Sequence, residues 1–328
     1  MDRLVECVPN ISEGSDARTL EAVAAAMQDS LGARLLDRTS DIDHARSVFT
    51  LAGGERAVLL AMEQGMAVAL DTIDMRRQAG QHPRIGAVDV VPFVPLGETT
   101  LAAAAEVATT FAARVARRFD LPIYLYGAAA TRPERRILAN VRRPGFEGLA
   151  TALASADGAP DYGPRRPHPT AGATAVGARP FLIAWNVQLD TRDIAIARDL
   201  ARSIRERDGG LPGVQALGLE LPTLGCTQLS MNVLDHVRTP LWRVWDEVLA
   251  RTSAAGVAII DSELIGLLPT AALDAVADHL SLEPTIPHAE RHRAAGEWLR
   301  IRGFDPSMTV EARIASAERA GEPPLPES

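Results

Sequence analysis

Hydrophobic and polar positions follow two alternating periods along the first half of the chain, one typical of strands and one of helices. The predicted elements are, in order, strand 3–10, helix 16–31, strands 33–40 and 45–53, helix 54–73, strand 85–96, helix 100–119 and strand 121–127. Ser15 or Asp16 is placed to cap the first helix, and Thr99 or Thr100 the third. This half therefore has the order β-α-β-β-α-β, followed by an added helix and strand.

The second half repeats that order. Strands are predicted at 179–190, 214–221, 227–235 and 257–264, with helices that begin after a capping Thr191 and at Pro240. The repeated order is that of a ferredoxin-like unit. We therefore predict an α+β fold of two ferredoxin-like subdomains, each with helices packed on a mostly antiparallel sheet. The expected boundaries are 1–178, 179–303 and a frayed tail at 304–328.

Two segments are less regular. Residues 145–180 combine Gly, Pro, Ala and Arg with no sustained period after residue 156, which fits either a linker or a ligand-binding loop between the halves. Pro92 and Pro95 indicate that the strand at 85–96 lies at a sheet edge or ends early, because proline cannot donate a hydrogen bond to a neighbouring strand.

The 34 basic residues are all arginine, and the formal net charge is −8. The absence of lysine excludes a lysine Schiff base and a P-loop, and the negative charge argues against a general nucleic-acid binder. Anions must therefore be bound by arginine, histidine or backbone N–H groups. Cys7 and Cys226 are predicted to be buried structural thiols. With no apolar run of membrane-spanning length and no secretory leader, a cytoplasmic protein is expected.

A histidine between two glycines is the first candidate for chemistry. In GQHPRIG (80–86), Pro83 biases His82 toward an extended backbone, and the segment opens a predicted strand. Stiff loops at strand ends commonly carry catalytic side chains, but a surface histidine in a tight turn fits these residues equally well.

Two other polar clusters are candidates. SDIDHARS (40–47) is a polar hairpin loop with two carboxylates, a histidine and an arginine: Asp41, Asp43, His44 and Arg46. A solvated loop or a substrate contact is favoured there over a metal site. HAERH (288–292) places two histidines four residues apart on a helix without the HExxH order, and a solvated helix face is favoured. The sequence has no GxSxG elbow and no GxGxxG fingerprint, which argues against an esterase triad and against NAD.

Four stretches are informative in combination: ECVPNISEG (6–14), GQHPRIGAVDVVPFVPL (80–96), PDYGPRRPHPTAGATAVGARPFLIAWNV (160–187) and LGCTQLSMN (224–232). Together they resemble the glutamate formimidoyltransferase (formiminotransferase) family over about residues 2–300. The resemblance implies two α/β subdomains with a folate site between them. It also implies transfer of a formimidoyl group between N-formimidoyl-L-glutamate and tetrahydrofolate, a reaction of histidine degradation that feeds one-carbon metabolism.

The resemblance assigns roles to two of these motifs. The histidine of the His-Pro-Arg motif, His82, is the implied general acid and base. The implied folate-binding segment is GPRRPHPTAG, that is Gly163, Pro164, Arg165, Arg166, Pro167, His168, Pro169, Thr170, Ala171 and Gly172. Animal members of the family carry a more apolar, aromatic version of RRPHPT. The implied co-substrate is (poly)glutamylated tetrahydrofolate, with no metal, and the implied partners are a second copy in a homodimer and a separate cyclodeaminase that acts downstream.

The charges of these substrates suggest further contacts. A cationic formimidoyl group needs a carboxylate, for which Asp41 or Asp43 is placed, and the glutamate carboxylates need arginine. The candidate arginines, from their loop positions, are Arg46, Arg84 and Arg179. Three alternatives stay open: a related folate-dependent transfer (glycine formimidoyl or 5-formyltetrahydrofolate), a metal-dependent formimidoylglutamate hydrolase built on the 41–44 cluster, and a non-catalytic folate-binding protein.

Overall fold

The computed structural model describes residues 3–28, 32–78 and 83–319. These residues form two compact units, the first ending at Pro180 and the second beginning at Phe181. Each unit combines one sheet with helices, which confirms the predicted α+β class. Across the described ranges, no helix is both long and apolar enough to cross a membrane.

The first unit is built on one mixed sheet. Its strands are β1 (Leu4–Cys7), β2 (Asn10–Ile11), β3 (Ala33–Asp41), β4 (Arg46–Gly54), β5 (Val88–Pro95), β6 (Ile123–Gly127) and β7 (Thr174–Ala178). Strand β4 lies between β3 and the broken strand β1–β2, which pairs in turn with β5; all these pairs are antiparallel. Strand β7 joins β5 to β6 through parallel pairs. The predicted ferredoxin-like sheet is therefore present, and β7 and β6 extend it.

Strand β7 is missing from the sequence-based prediction, which treats residues 145–180 as a linker or loop. All five of its residues are buried, and four of them are alanine, glycine or threonine. A central parallel strand is covered on both faces, so it lacks the alternation that marks a half-exposed strand. The same interval also contains helix α5 (Gly145–Ala154).

Of the two expectations for the strand at 85–96, the edge position is wrong, since β5 lies between β1–β2 and β7, and the strand ends at Pro95. Pro92 is tolerated there because the neighbouring strand is broken opposite it, between Cys7 and Asn10. The Pro92 carbonyl accepts a hydrogen bond from Val8 N at 3.2 Å. The amide and carbonyl of one strand residue point the same way, so the missing N–H of Pro92 faces this break.

Helices cover both faces of the parallel part of this sheet. Helices α1 (Ala17–Gln28), α2 (Glu55–Thr72) and α3 (Leu101–Phe119) enclose the larger apolar cluster, in which the Phe93 and Phe111 rings lie 5.6 Å apart. Helix α4 (Leu138–Arg142) and α5 enclose a second cluster on the opposite face, which was not predicted. The caps predicted for α1 and α3 are confirmed, since Asp16 accepts from Arg18 N at 3.0 Å and Thr100 accepts from Ala103 N at 3.1 Å.

The second unit has an antiparallel sheet with the ferredoxin-like order β11-β8-β10-β9. Its strands are β8 (Ile183–Leu189), β9 (Val214–Leu221), β10 (Cys226–Val233) and β11 (Ile259–Ile265). Helices α6 (Ile194–Ile204) and α7 (Leu241–Ala254) pack on it, with the Trp185 and Trp245 rings 5.4 Å apart in the core. Asp193 caps α6, instead of the predicted Thr191, by accepting from Ala195 N.

The second unit continues beyond β11 with α8 (Thr270–His279), α9 (His288–Trp298) and α10 (Val310–Arg319). The predicted fraying after residue 303 is wrong as far as residue 319, because Val310 N donates to Leu268 O at 3.1 Å and Glu311 accepts from Thr270 N at 3.0 Å. Cys7 and Cys226 are buried thiols that form no disulfide, as predicted. Burial raises the pKa of the Cys7 thiol well above its usual value, which keeps it protonated and unreactive.

Candidate functional site

The His-Pro-Arg motif begins outside the described residues: His82 and residues 79–81 are not among them, whereas Gln78 and Pro83 are. The described flanks are joined directly, since Arg84 Nη2 donates to Gln78 O at 2.6 Å. Gln78 Nε2 in turn donates to Glu13 Oε2 at 2.7 Å. The motifs at 6–14 and 80–96 therefore meet at these side chains.

The segment implied to bind folate lies against the same flanks. His168 and Gly172 exchange backbone hydrogen bonds and close a tight hairpin. Thr170 O on this hairpin accepts from Met75 N at 2.8 Å, and Ala171 O accepts from Ala87 N at 3.0 Å. Residues 75 and 87 flank the His-Pro-Arg motif on either side. The second and third motifs thus form one backbone-bonded assembly.

The first motif is joined to this assembly as well. Ser12 N donates to Ala87 O at 2.8 Å, and Ser12 Oγ donates to Gly86 O at 2.7 Å. The next residue, Glu13, accepts from the backbone N–H groups of Ser15 and Asp16 at 2.8 and 2.9 Å. Burial tends to raise the pKa of the Glu13 carboxyl, but these hydrogen bonds and the one from Gln78 outweigh it and hold the pKa below its usual value.

Substitution Glu13→Gln tests this carboxylate. A lowered folded-state pKa means that the charged Glu13 stabilises the protein above the unfolded-state value of about 4.3, and that this contribution is lost as pH falls through the folded-state pKa. We expect the variant to be less stable than wild type by about 1 kcal/mol at neutral pH, because charge-assisted hydrogen bonds become neutral ones. The difference should shrink in acid, as measured by urea unfolding over a pH series.

The matched control is Glu98→Gln, which removes an exposed carboxylate in the turn after β5. It should follow the wild-type pH profile. A constant stability difference between Glu13→Gln and wild type across the acid range would contradict the argument.

A small pocket, with room for about one water molecule, lies at this assembly. It is lined by Ser12, His44, Ala45, Arg46, Arg84 and Asp89. The His44 side chain is only 2% exposed, and its Nδ1 lies 2.8 Å from Asp41 Oδ2. Asp41 Oδ1 also accepts from the His44 backbone N at 2.8 Å. Burial tends to raise the pKa of Asp41, but its hydrogen bonds to His44 and the charge of Arg46 lower it overall, so the carboxylate stays charged.

Asp89 lines the pocket and is held in place by a backbone hydrogen bond and an ion pair. It is 2% exposed, accepts from Ile85 N at 2.8 Å and pairs with Arg142 of α4. Arg84 reaches Glu147 of α5 at 3.0 Å, yet its buried Nε has no hydrogen-bond partner among the described residues. A buried guanidinium N–H in a pocket wall is a donor available to a bound anion.

The structure separates the predicted substrate contacts into two groups. Arg46 and Arg84 line the same pocket as His44, which pairs with Asp41. Asp43 lies in the same hairpin turn but does not line the pocket. Arg179 does not line this pocket: its N donates to Phe93 O near the carboxyl end of β5, and its side chain lies beside Tyr126.

The implied folate segment is also divided. Its first arginines turn away from the hairpin: Arg165 Nη2 donates to Ser155 O at 2.6 Å, and Arg166 pairs with Asp120 on the exposed surface. His168 remains on the hairpin, where its Nδ1 accepts from Ala171 N at 3.1 Å. Burial lowers the pKa of His168, so its ring is neutral at neutral pH.

Several polar side chains of this site were not predicted. Ser12, Glu13, Gln78, Asp89 and Arg142 are spread over distant parts of the sequence, and only the folded sheet brings them together. His44 was considered as a metal ligand, whereas the structure pairs it with Asp41. A usable signal existed for Ser12, Glu13 and Asp89, because all three lie within the quoted motifs. The fourth motif lies on β10 of the second unit, where Thr227 and Gln228 are buried.

Comparison with known proteins agrees with the four motifs. Residues 4–179 match the family model for the formiminotransferase domain, N-terminal subdomain, and residues 184–291 match that for the formiminotransferase domain. Glutamate formimidoyltransferase of Streptococcus pyogenes serotype M1 is 43% identical over 85% of this chain and 93% of its own length. That of Thermoplasma acidophilum is 36% identical over 96% and 98%. The formimidoyltransferase-cyclodeaminase of Gallus gallus is 37% identical over 89% of this chain and 55% of its own length. The chain belongs to the formiminotransferase family.

Proposed function

We propose that this chain is a glutamate formimidoyltransferase, which moves the formimidoyl group of N-formimidoyl-L-glutamate to tetrahydrofolate and yields 5-formimidoyltetrahydrofolate and L-glutamate. The observation that carries the proposal is the 43% identity, over most of both chains, to a relative of that name. The place of the reaction is histidine degradation. We further propose that the protein is a cytoplasmic homodimer. Its product would then be processed by a separate cyclodeaminase.

The co-substrate tetrahydrofolate is assigned to the segment Gly163–Gly172. Support comes from the hairpin at 168–172, whose carbonyls bond the backbone on both sides of the His-Pro-Arg motif. A folate held by this hairpin would lie beside the motif that performs the transfer. Because Arg165 and Arg166 contact Ser155 and Asp120 instead, we assign the folate contacts chiefly to residues 167–172.

The amino-acid substrate is assigned to the side chains around the pocket beside the motif. The carboxylates of formimidoylglutamate need arginine in a chain without lysine, and Arg46 and Arg84 line the pocket. The unpartnered Arg84 Nε supports a carboxylate contact there. The charged Asp41, held by His44, is the acceptor we assign to the cationic formimidoyl group.

The chemistry needs one group that accepts and returns a proton near neutral pH. The folate N5 attacks the amidine carbon, a tetrahedral intermediate forms, and the glutamate nitrogen leaves with a proton. We assign His82 to both transfers: it takes the proton from the attacking nitrogen and delivers one to the departing nitrogen. With these two proton transfers, the proposed reaction requires neither a metal nor a covalent enzyme intermediate.

Substitution of the pocket arginines tests the assignment of the carboxylates. Arg84→Met and Arg46→Met should each raise KM for formimidoylglutamate about tenfold to a hundredfold, since a charge-assisted hydrogen bond contributes about 1.5–3 kcal/mol. KM for tetrahydrofolate should change much less. Arg117→Met, on the exposed face of α3, is the control and should behave as wild type. An unchanged KM in both pocket variants would remove these arginines from the substrate site.

The function itself is tested by incubating the purified protein with formimidoylglutamate, with and without tetrahydrofolate. Glutamate release that depends on folate, with one 5-formimidoyltetrahydrofolate formed per glutamate, is the expected result. Folate-independent release that chelators abolish would instead indicate a metal-dependent hydrolase. Faster turnover of formimidoylglycine, or of 5-formyltetrahydrofolate with glutamate, would assign the chain to a related transfer. Folate binding without turnover would indicate a binding protein.

A further inference from the structure

Three potential metal ligands converge in the second unit, which does not contain the pocket described above. Asp274 Oδ1 on α8 lies 3.0 Å from His288 Nε2 and 2.9 Å from His292 Nε2. The three ligand atoms lie within 4.8 Å of one another. The two histidines are four residues apart on α9, so their rings share one helix face, with centroids 4.0 Å apart.

This arrangement corrects the prediction of a solvated helix face for HAERH. The His292 side chain is 3% exposed, whereas that of His288 is 58% exposed and that of Asp274 35%. The cluster therefore lies where the α8–α9 contact meets solvent, closed on one side and open on the other. The Arg291–Asp278 ion pair also joins α9 to α8. An electrostatic link between the two helices therefore exists apart from the three-residue cluster.

Two imidazoles and one carboxylate form a donor set suited to divalent transition metals. Ligands about 2.1 Å from a tetrahedral zinc ion lie about 3.4 Å apart. The observed separations of 2.9 and 3.0 Å would have to open by only about 0.4–0.5 Å to admit such an ion. The exposed side of His288 leaves the fourth position to water.

We propose that Asp274, His288 and His292 form a binding site for a divalent transition-metal ion, with zinc as the representative ion. Bound there, the ion links α8 to α9 and stabilises the second unit. An unfolded chain does not hold these three ligands together, so binding to the folded state raises the melting temperature. The site takes no part in the proposed transfer reaction, and its test is independent of that reaction.

The experiment uses the full chain after chelator treatment, titrated with Zn²⁺ at neutral pH by calorimetry and by thermal unfolding. Wild type should bind one ion per chain at the cluster and melt several degrees higher with zinc. His288→Gln and Asp274→Asn should each bind zinc at least tenfold more weakly, since even outer-shell partners of a metal site are worth about 10–100-fold. His236→Gln removes a histidine that contributes no ligand atom and should match wild type.

Exposed His288 can be replaced without disturbing the core, whereas buried His292 is left intact in this design. Circular dichroism of the metal-free variants verifies their folding. Co²⁺ in place of zinc gives visible absorption bands that report its ligands, and these bands should be lost in His288→Gln. Equal zinc affinity of wild type, His288→Gln and Asp274→Asn, or no stoichiometric zinc binding by wild type, would overturn the proposal.

Discussion

Replacing His82 with alanine is expected to lower kcat by about 10²–10⁴-fold, the usual contribution of a general acid–base side chain. The loss arises because neither nitrogen of the transfer reacts readily in the wrong protonation state: the attacking amine must lose a proton and the departing amine must gain one. Substrate affinity should change far less than turnover. Steady-state kinetics of folate-dependent glutamate release measure both quantities.

Two controls separate this chemical role from a structural one. His236→Ala, a histidine of the second unit, should leave kcat unchanged, and the thermal unfolding of His82→Ala should match that of wild type. Added imidazole should restore part of the lost rate to His82→Ala, because a free imidazole can enter the vacated space and carry the proton. Near wild-type turnover by His82→Ala would assign the proton transfer to another residue.

Gly86→Ala is expected to disrupt the site through the backbone alone. A Cβ at this position would lie 2.0 Å from Ala173 O and 2.5 Å from Ala171 O, both backbone atoms that no side-chain rotation can move. The segment after the His-Pro-Arg motif would have to separate from the 168–172 hairpin. We expect a loss of about 2–4 kcal/mol in unfolding free energy and about a 10²-fold loss of kcat, because a displacement of about 1 Å costs that much in catalysis.

The matched control is Gly148→Ala, where a Cβ meets only Pro144 Cβ at 3.6 Å, an ordinary contact. Gly148 lies within α5, so alanine should stabilise that helix by about 0.5–1 kcal/mol. The unfolding free energies of the two variants should therefore shift in opposite directions, and kcat should fall only in Gly86→Ala. Wild-type stability and activity in Gly86→Ala would show that the hairpin and the motif segment need not stay in contact.

The repeated order of elements could be predicted from the sequence because it is a local signal. Amphipathic periods and caps such as Asp16 and Thr100 are encoded within a few residues of each helix. Strand β7 escaped prediction because its residues are small and buried on both faces, which removes the alternation. The edge position that Pro92 suggested for β5 was wrong for a related reason: whether a proline is tolerated there depends on a break in a strand about 80 residues earlier.

The candidate site could be predicted only in part, for the same physical reason. Motif resemblance assigns roles to His82 and to the 163–172 segment, because each lies in one contiguous stretch of sequence. The contacts that assemble the site join distant positions, such as Glu13 with Gln78 and Asp89 with Arg142, and no local pattern specifies such pairs. Nothing in the sequence favours one candidate arginine over the others among Arg46, Arg84 and Arg179. The folded sheet places only Arg46 and Arg84 beside the pocket.

The insertion of β7 between β5 and β6 sets the order in which this unit can be completed. Both of its partners are earlier in the chain, so the parallel part of the sheet closes only after residue 178 has been synthesised. The hairpin at 168–172 immediately precedes β7 and bonds to the flanks of the His-Pro-Arg motif. The assembly of the first three motifs therefore forms only after these long-range contacts of the sheet are made, and contacts between residues far apart in the sequence are slow to form. In an N-terminal fragment that stops before β7, the edges of β5 and β6 that pair with β7 would be left unpaired. Such exposed strand edges promote aggregation.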